Sequence, residues 1–281
     1  FTPALAVYIL FLLLTGDAFT RRQGRDRWLG LLRSALPPAL AGLLGLGLSA
    51  AFFVPAIVEQ GYINRTQWFG QYYDPAQHFV YFNQLFDPRW GFGISQPGPD
   101  DAAQGSLSYQ TGAAVTLLTL IALALSGQFK PRLRGEVRFW GLWLVAVIFL
   151  MLPLSAWAWR YVPIVGYAQF PWRYLMLAIL PLSILPGSLV AWQGRERWNA
   201  LLPAFALSAL LLLSSAPFLK VEIIEPTPEQ GPVSMAALMR FQRTSDEMTG
   251  VTAWVDPAQR PHWSNMADVW LQGGEVTTRV D

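Results

Sequence analysis

The sequence predicts an all-α polytopic membrane protein of about six transmembrane helices, with a small, incomplete α+β extracytoplasmic C-terminal region. Three observations carry this. Of 281 residues 53% are hydrophobic and 14% charged, where soluble domains carry about 25% charge. Apolar runs of bilayer-crossing length recur along the chain as far as Leu219. From Lys220 onward they cease, and Pro226, Pro228 and Pro232 break the sequence instead.

The spans, in order, are about 3–19, 36–58, 111–127, 139–157, 172–192 and 200–218, each near the roughly 17–25 residues that cross a bilayer as helix. They make residues 1–219 a transmembrane domain with a long loop at 59–110, and leave 220–281 as a tail. Positive residues resist translocation, so Lys and Arg in the connections set the orientation. Arg21, Arg22, Arg25, Arg27 and Arg33 follow the first span, Lys130, Arg132, Arg134 and Arg138 the third, and Arg195 and Arg197 the fifth. These connections are assigned to the cytoplasm. The opposite ones hold only Arg65 and Arg89, or Arg160 and Arg173, which places loop 59–110 and both ends of the chain outside. Phe1 opens the chain without an initiator Met or a cleavage site, so a start inside a larger polytopic protein is expected rather than a signal peptide. In the tail, "KVEII" and "TGVTAWV" read as strands and "SMAALMRFQR" as a short helix capped by Ser234. Gly273-Gly274 reads as a two-residue hairpin turn shortly before Asp281.

A net charge of +2 gives no surface for a polyanion, so nucleic acid is not an expected partner. The absence of cysteine removes disulfides, thiolate nucleophiles and cysteine zinc sites. No G-x-S-x-G elbow, P-loop or dinucleotide fingerprint occurs, and the glycines of "AGLLGLGLSA" fit close helix approach within a span. No cofactor is expected from the chain itself.

Loop 59–110 is the richest stretch for chemistry. Asp74 before Pro75 is a helix-start signal, because the carboxylate accepts from free backbone N–H groups and proline fits the first turn. The short helix that follows should carry Phe79, Phe82 and Phe86 on one face, in the membrane interface. "DPRWGFG" then turns the chain.

The segments "GLSAAFFVPAIVEQGYIN", "HFVYFNQLFDPRWGFGISQPGPDD", "LSYQTG", "MLPLSAWAW" and "QFPWRYL" resemble, in the same order, those of the bacterial 6-pyruvoyl-tetrahydropterin synthase-related integral membrane proteins. That family is similar in architecture to YfhO-type proteins and GT-C glycosyltransferases, which use polyprenyl-phosphate sugars at the outer face of the cytoplasmic membrane. The resemblance extends to about Leu219 and implies a multi-pass protein of the bacterial cytoplasmic membrane. It places catalytic carboxylates in an outer loop that would precede Phe1, and leaves room for a divalent metal only in such a longer parent.

Seven residues are candidates. Arg173, with Arg160 and Glu59, could form a lipid-phosphate site. Guanidinium matches phosphate oxygens, and the start of span five adds the positive end of a helix dipole. The plainer reading of Arg173 is snorkelling beside Trp172, and that of Glu59 a solvated helix end. Asp74 is a cap or an acid, and His78 is a structural histidine or half of an acid–base or metal pair. Asp87 and Arg89 tie the loop together or serve a site. Asp100 and Asp101 suit exposed turns, and His262 a loop. Two functions stand side by side. One is the membrane-embedded part of a GT-C-like protein near a polyprenyl-phosphate or other anionic lipid. The other is a non-catalytic scaffold or accessory subunit that docks membrane protein partners.

Overall fold

The computed structural model describes residues 2–16, 24–62, 74–91, 95, 98, 107–166, 168–192 and 197–219. The predicted strands, helix and hairpin of the tail lie outside the described residues. So do Arg21, Arg22, Arg65, Asp100, Asp101, Arg195 and His262.

Two compact units divide the chain: Phe1–Ala39 with Trp68–Lys220, and Leu40–Gln67 with Val221–Asp281. The described part is mostly helical, with no strand. In order come α1 (Thr2–Thr15), α2 (Gly24–Val58), α3 (Ala113–Leu125), α4 (Pro131–Met151), α5 (Ala156–Tyr161), α6 (Pro163–Gly166), α7 (Leu175–Trp192) and α8 (Arg197–Ser215).

Among the described residues three helices are long and apolar enough to cross a membrane: Trp28–Tyr62, Pro171–Trp192 and Leu201–Phe218. A fourth span results if Pro131–Met151 and Pro153–Tyr161, bent by 84°, are one crossing. Of the six full-length spans expected, the described residues thus supply three or four. Ala4–Thr15 and Ala113–Gln128 are apolar but shorter, because Gly112 and Ser126-Gly127 punctuate the second and Gly16 follows the first. The second predicted span also starts earlier than expected. Its helix runs back through Pro37-Pro38 to Gly24, so Arg25, Arg27 and Arg33 lie on helical backbone.

The predicted span 139–157 is corrected by its proline. Pro153 has no N–H and forces Leu152 into an extended conformation, φ −83° and ψ 153°, so α4 ends at Met151. Its last carbonyls then need other donors. Leu150 receives the Ser155 hydroxyl at 3.0 Å and the Trp159 indole N–H at 2.8 Å, while Met151 receives the Val80 N–H at 2.9 Å. The bend is therefore where loop 74–91 is fastened to the helices.

In the first unit the core lies between α3, α4 and α7. Val137, Trp140, Leu144, Val147 and Met151 are buried at helical spacing along α4. At Gly141 the helices come so close that a Cβ would stand 2.6 Å from Leu123 Cδ2. Tyr8 and Phe11 of α1 stack onto Trp140 and Phe139, with centroids 4.9 and 4.5 Å apart. Helix α7 contains Pro181 and Pro186, both buried. Pro181 frees the carbonyl of Leu177 four residues back, and the Trp143 indole N–H of α4 reaches it at 3.4 Å.

In the second unit the described residues are the latter part of α2 and the turn Glu59–Tyr62. Gly42, Gly45 and Gly47, expected to seat a neighbouring helix, have nothing among the described residues within 4 Å of where a Cβ would stand. Leu43, Leu48 and Phe52 on the same helix are exposed.

Candidate functional site

The segment Phe170-Pro171-Trp172-Arg173 is built by a tight turn. Gln169 takes a positive φ of 64°, rare for a residue with a side chain. Pro171 then opens the short helical turn Pro171–Tyr174 that leads into α7. Phe170 is buried and Trp172 half-buried, with rings parallel to within 8° and centroids 5.6 Å apart.

Arg173 lies on this aromatic shelf, its guanidinium carbon 4.8 Å from the Phe170 centroid and 5.6 Å from that of Trp172. Nη1 donates to the Ala168 carbonyl at 3.3 Å and to Gln169 Oε1 at 3.0 Å. Nε and Nη2 carry no hydrogen bond among the described residues. The Arg173 side chain is exposed. The physical reason is local, since the turn at Gln169 presents acceptors that draw the guanidinium back over its own segment. The Trp172 indole N–H is buried without an acceptor among the described residues, an uncommon state for indole.

His78 reaches the same shelf from loop 74–91. It is 1% exposed, and its ring meets Phe170 edge-on at 4.7 Å. His78 Nδ1 is 2.9 Å from Ser95 Oγ, which is 2.6 Å from Tyr109 Oη. Ser95 and Tyr109 are buried as well. Beside them Phe79 packs edge-on to Trp159, and Trp159 edge-on to Tyr174. Ser95, Tyr109 and Gln169 were not singled out in the sequence. They stand far apart along irregular backbone, so no periodicity marks them.

Asp74 caps, its Oδ1 accepting from the Ala76 N–H at 2.9 Å, but the element it caps is only the turn Pro75–Gln77. The single helix expected to carry Phe79, Phe82 and Phe86 is corrected to two short turns. The second, Phe82–Phe86, starts after the chain has paired Val80 with Met151. Phe79 is consequently buried, while Phe82 and Phe86 are exposed.

Asp87 and Arg89 form a close ion pair. The Arg89 Nε donates to both carboxylate oxygens, at 2.9 and 3.0 Å, and the Arg89 backbone N–H to Oδ1 at 2.9 Å. The Arg89 side chain first, and its N–H second, lower the Asp87 pKa to about 2. Arg160 is exposed at the end of α5 over the Tyr161 ring, 5.6 Å from its centroid, and makes no ion pair among the described residues. Glu59 is exposed at the start of the turn Glu59–Tyr62 in the second unit.

The structure thus brings His78 and Arg173 against one buried ring, that of Phe170, and leaves Asp74, Asp87 and Arg89 in their own turns. Among the described residues no three His, Asp or Glu side chains gather as a metal site. Fold and site together define a mostly helical protein with, among the described residues, three to four helices fit to cross a membrane, one of them headed by a cationic, aromatic shelf. No family model, curated protein or solved structure matches the chain.

Proposed function

We propose that the chain is the membrane-embedded part of a GT-C-like, glycosyltransferase-related protein, and that its Arg173 shelf receives the phosphate of a polyprenyl phosphate or similar anionic lipid. The observation that carries this reading is the Arg173 guanidinium. It is exposed, steadied through Nη1 alone, and offers Nε and Nη2 together at the head of an apolar span. That edge is the fork that matches two phosphate oxygens. The isoprenoid chain would lie along the apolar helix below. Asp74 and Asp87 are engaged in a cap and an ion pair, so this reading gives them no catalytic role.

The arrangement of six crossings with both ends outside belongs to the same proposal. It counts the three long helices, the bent pair and the two shorter apolar helices, the short ones accommodated by local thinning of the bilayer.

Lipid retained by the purified full chain tests the reading, with wild type, Arg173→Lys and Arg173→Gln compared after exposure to polyprenyl phosphate. Lysine keeps the charge and loses the fork, so retention should fall with Lys and fall further, about tenfold or more, with Gln. Equal retention in all three returns Arg173 to an interfacial anchor.

A second reading, a non-catalytic scaffold, is favoured by two helices. The apolar stretches of Trp28–Tyr62 and Leu201–Phe218 each carry no buried residue against the described part of the chain, as faces that receive partner helices would. Cysteine cross-linking at Gly45 and Leu213 in native membranes distinguishes it, since a lipid-facing helix gives no discrete protein adduct.

A further inference from the structure

The other ends of α4 and α7 enclose a second feature. Where the first turn of α4 meets the last turn of α7, a cleft of ≈ 270 Å³ is lined by Lys130, Arg132, Leu133, Glu136, Ala191 and Trp192. Its apolar wall is fixed. Trp192 packs on the buried Phe129, with centroids 5.6 Å apart. Arg134 closes the turn that carries Phe129 by donating to the Gly127 and Phe129 carbonyls, at 2.7 and 3.0 Å.

The cations in the cleft are differently placed. Arg132 is 91% exposed and pairs with Glu136 at a loose 3.7 Å. The Lys130 side chain makes no hydrogen bond or ion pair among the described residues, and does not cap α4. Two positive side chains and one carboxylate leave the cleft with one net positive charge. That balances a phosphodiester, which carries one negative charge, and leaves a phosphomonoester or diphosphate in excess. Trp192 is of the type that settles at a membrane–water boundary, with an apolar body and one N–H donor.

We propose that this cleft holds the phosphodiester headgroup of a membrane glycerophospholipid that bears a headgroup hydroxyl. Lys130 and Arg132 take the phosphate oxygens. Leu133, Ala191 and Trp192 lie against the glycerol and first acyl carbons, and Glu136 accepts from the hydroxyl. The site does not depend on the reading of Arg173, because it uses none of the same residues.

Phosphatidylglycerol is the probe, with phosphatidylcholine as the zwitterionic control. Retention by the full chain is read by native mass spectrometry after exchange into detergent. Wild type should retain phosphatidylglycerol in preference to phosphatidylcholine. Lys130→Gln and Arg132→Gln should each lower phosphatidylglycerol retention about fivefold, the fold-change that corresponds to roughly 1 kcal/mol per basic side chain at an anionic surface. Glu136→Gln should move it the other way, because it raises the charge of the cleft, and a misfolded variant could not produce that gain. The fivefold losses should be the same in an Arg173→Gln background, which separates the cleft from the shelf. Unchanged retention in the Lys130→Gln/Arg132→Gln double variant would overturn the site. So would a loss with Glu136→Gln. Millimolar glycerol phosphate is expected not to displace the lipid; displacement would assign the cleft to a soluble phosphate ester and end the lipid assignment.

Discussion

Asp87 and Arg89 stand two positions apart and hold one another closely enough to move a proton equilibrium. The folded Asp87 titrates at about 2 rather than at its ordinary 3.8, so the pair stabilises the fold only while the carboxylate is charged. That contribution is fully present above about pH 4 and disappears as pH falls through about 2. The difference in melting temperature between wild type and Asp87→Asn is expected to be flat above pH 4 and to shrink toward pH 2. A difference that stays constant to pH 2 would remove the pair from the stability of the loop. Asp74 is tested by its own chemistry. Asp74→Ala should cost about 1 kcal/mol and Asp74→Ser much less, since a hydroxyl also caps; a Ser variant as weak as Ala in denaturant would show that the carboxylate does something else. At Ser95 the hydroxyl joins two buried partners, His78 and Tyr109. Ser95→Ala is expected to cost about 1–3 kcal/mol, the range for a buried hydrogen bond left unmade, as measured by denaturant midpoint. A variant as stable as wild type would show that the two partners find other bonds.

Prolines decide the geometry of α4 and α7, and each leaves a carbonyl that another element must satisfy. The carbonyl of Leu177, freed by Pro181, is met by Trp143. A double-mutant cycle measures that link. Trp143→Phe should cost more in the native background than in Pro181→Ala, where a restored N–H takes the carbonyl, with a coupling of about 0.6 kcal/mol as is usual for hydrogen bonds between membrane helices. Strict additivity would mean that Trp143 acts by packing alone. Gly141 sets how near α3 comes to α4. Gly141→Leu should destabilise by about 1–3 kcal/mol through overpacking, and Leu123→Ala should recover part of it, because Leu123 Cδ2 is the atom in the way. Absence of rescue in thermal unfolding would place the clash elsewhere.

For the whole molecule, orientation is open to direct measurement because the chain has no native cysteine. Single cysteines at Gly24, Gly127 and Gly194 should be protected from an impermeant thiol reagent in intact cells, and those at Gly70, Gln104 and Gly250 should react. Labelling at Gly127 from outside would overturn the assigned orientation. By itself the sequence determined the helical class and the approximate position of the long apolar helices, because hydrophobicity over a bilayer's length is a property of consecutive residues. Asp74 as a cap was legible for the same reason, its partner Ala76 being two residues away. The break after Met151 was written in Pro153, yet the length of the apolar run outweighed it in the predicted span. Only the tertiary structure decided that His78 meets Phe170, that Ser95 links His78 to Tyr109, and that Lys130 and Trp192 share one cleft. Those residues are distant along the chain and carry no common period. What joins them is the antiparallel packing of α4 and α7 and the carbonyls their prolines and ends leave to be satisfied.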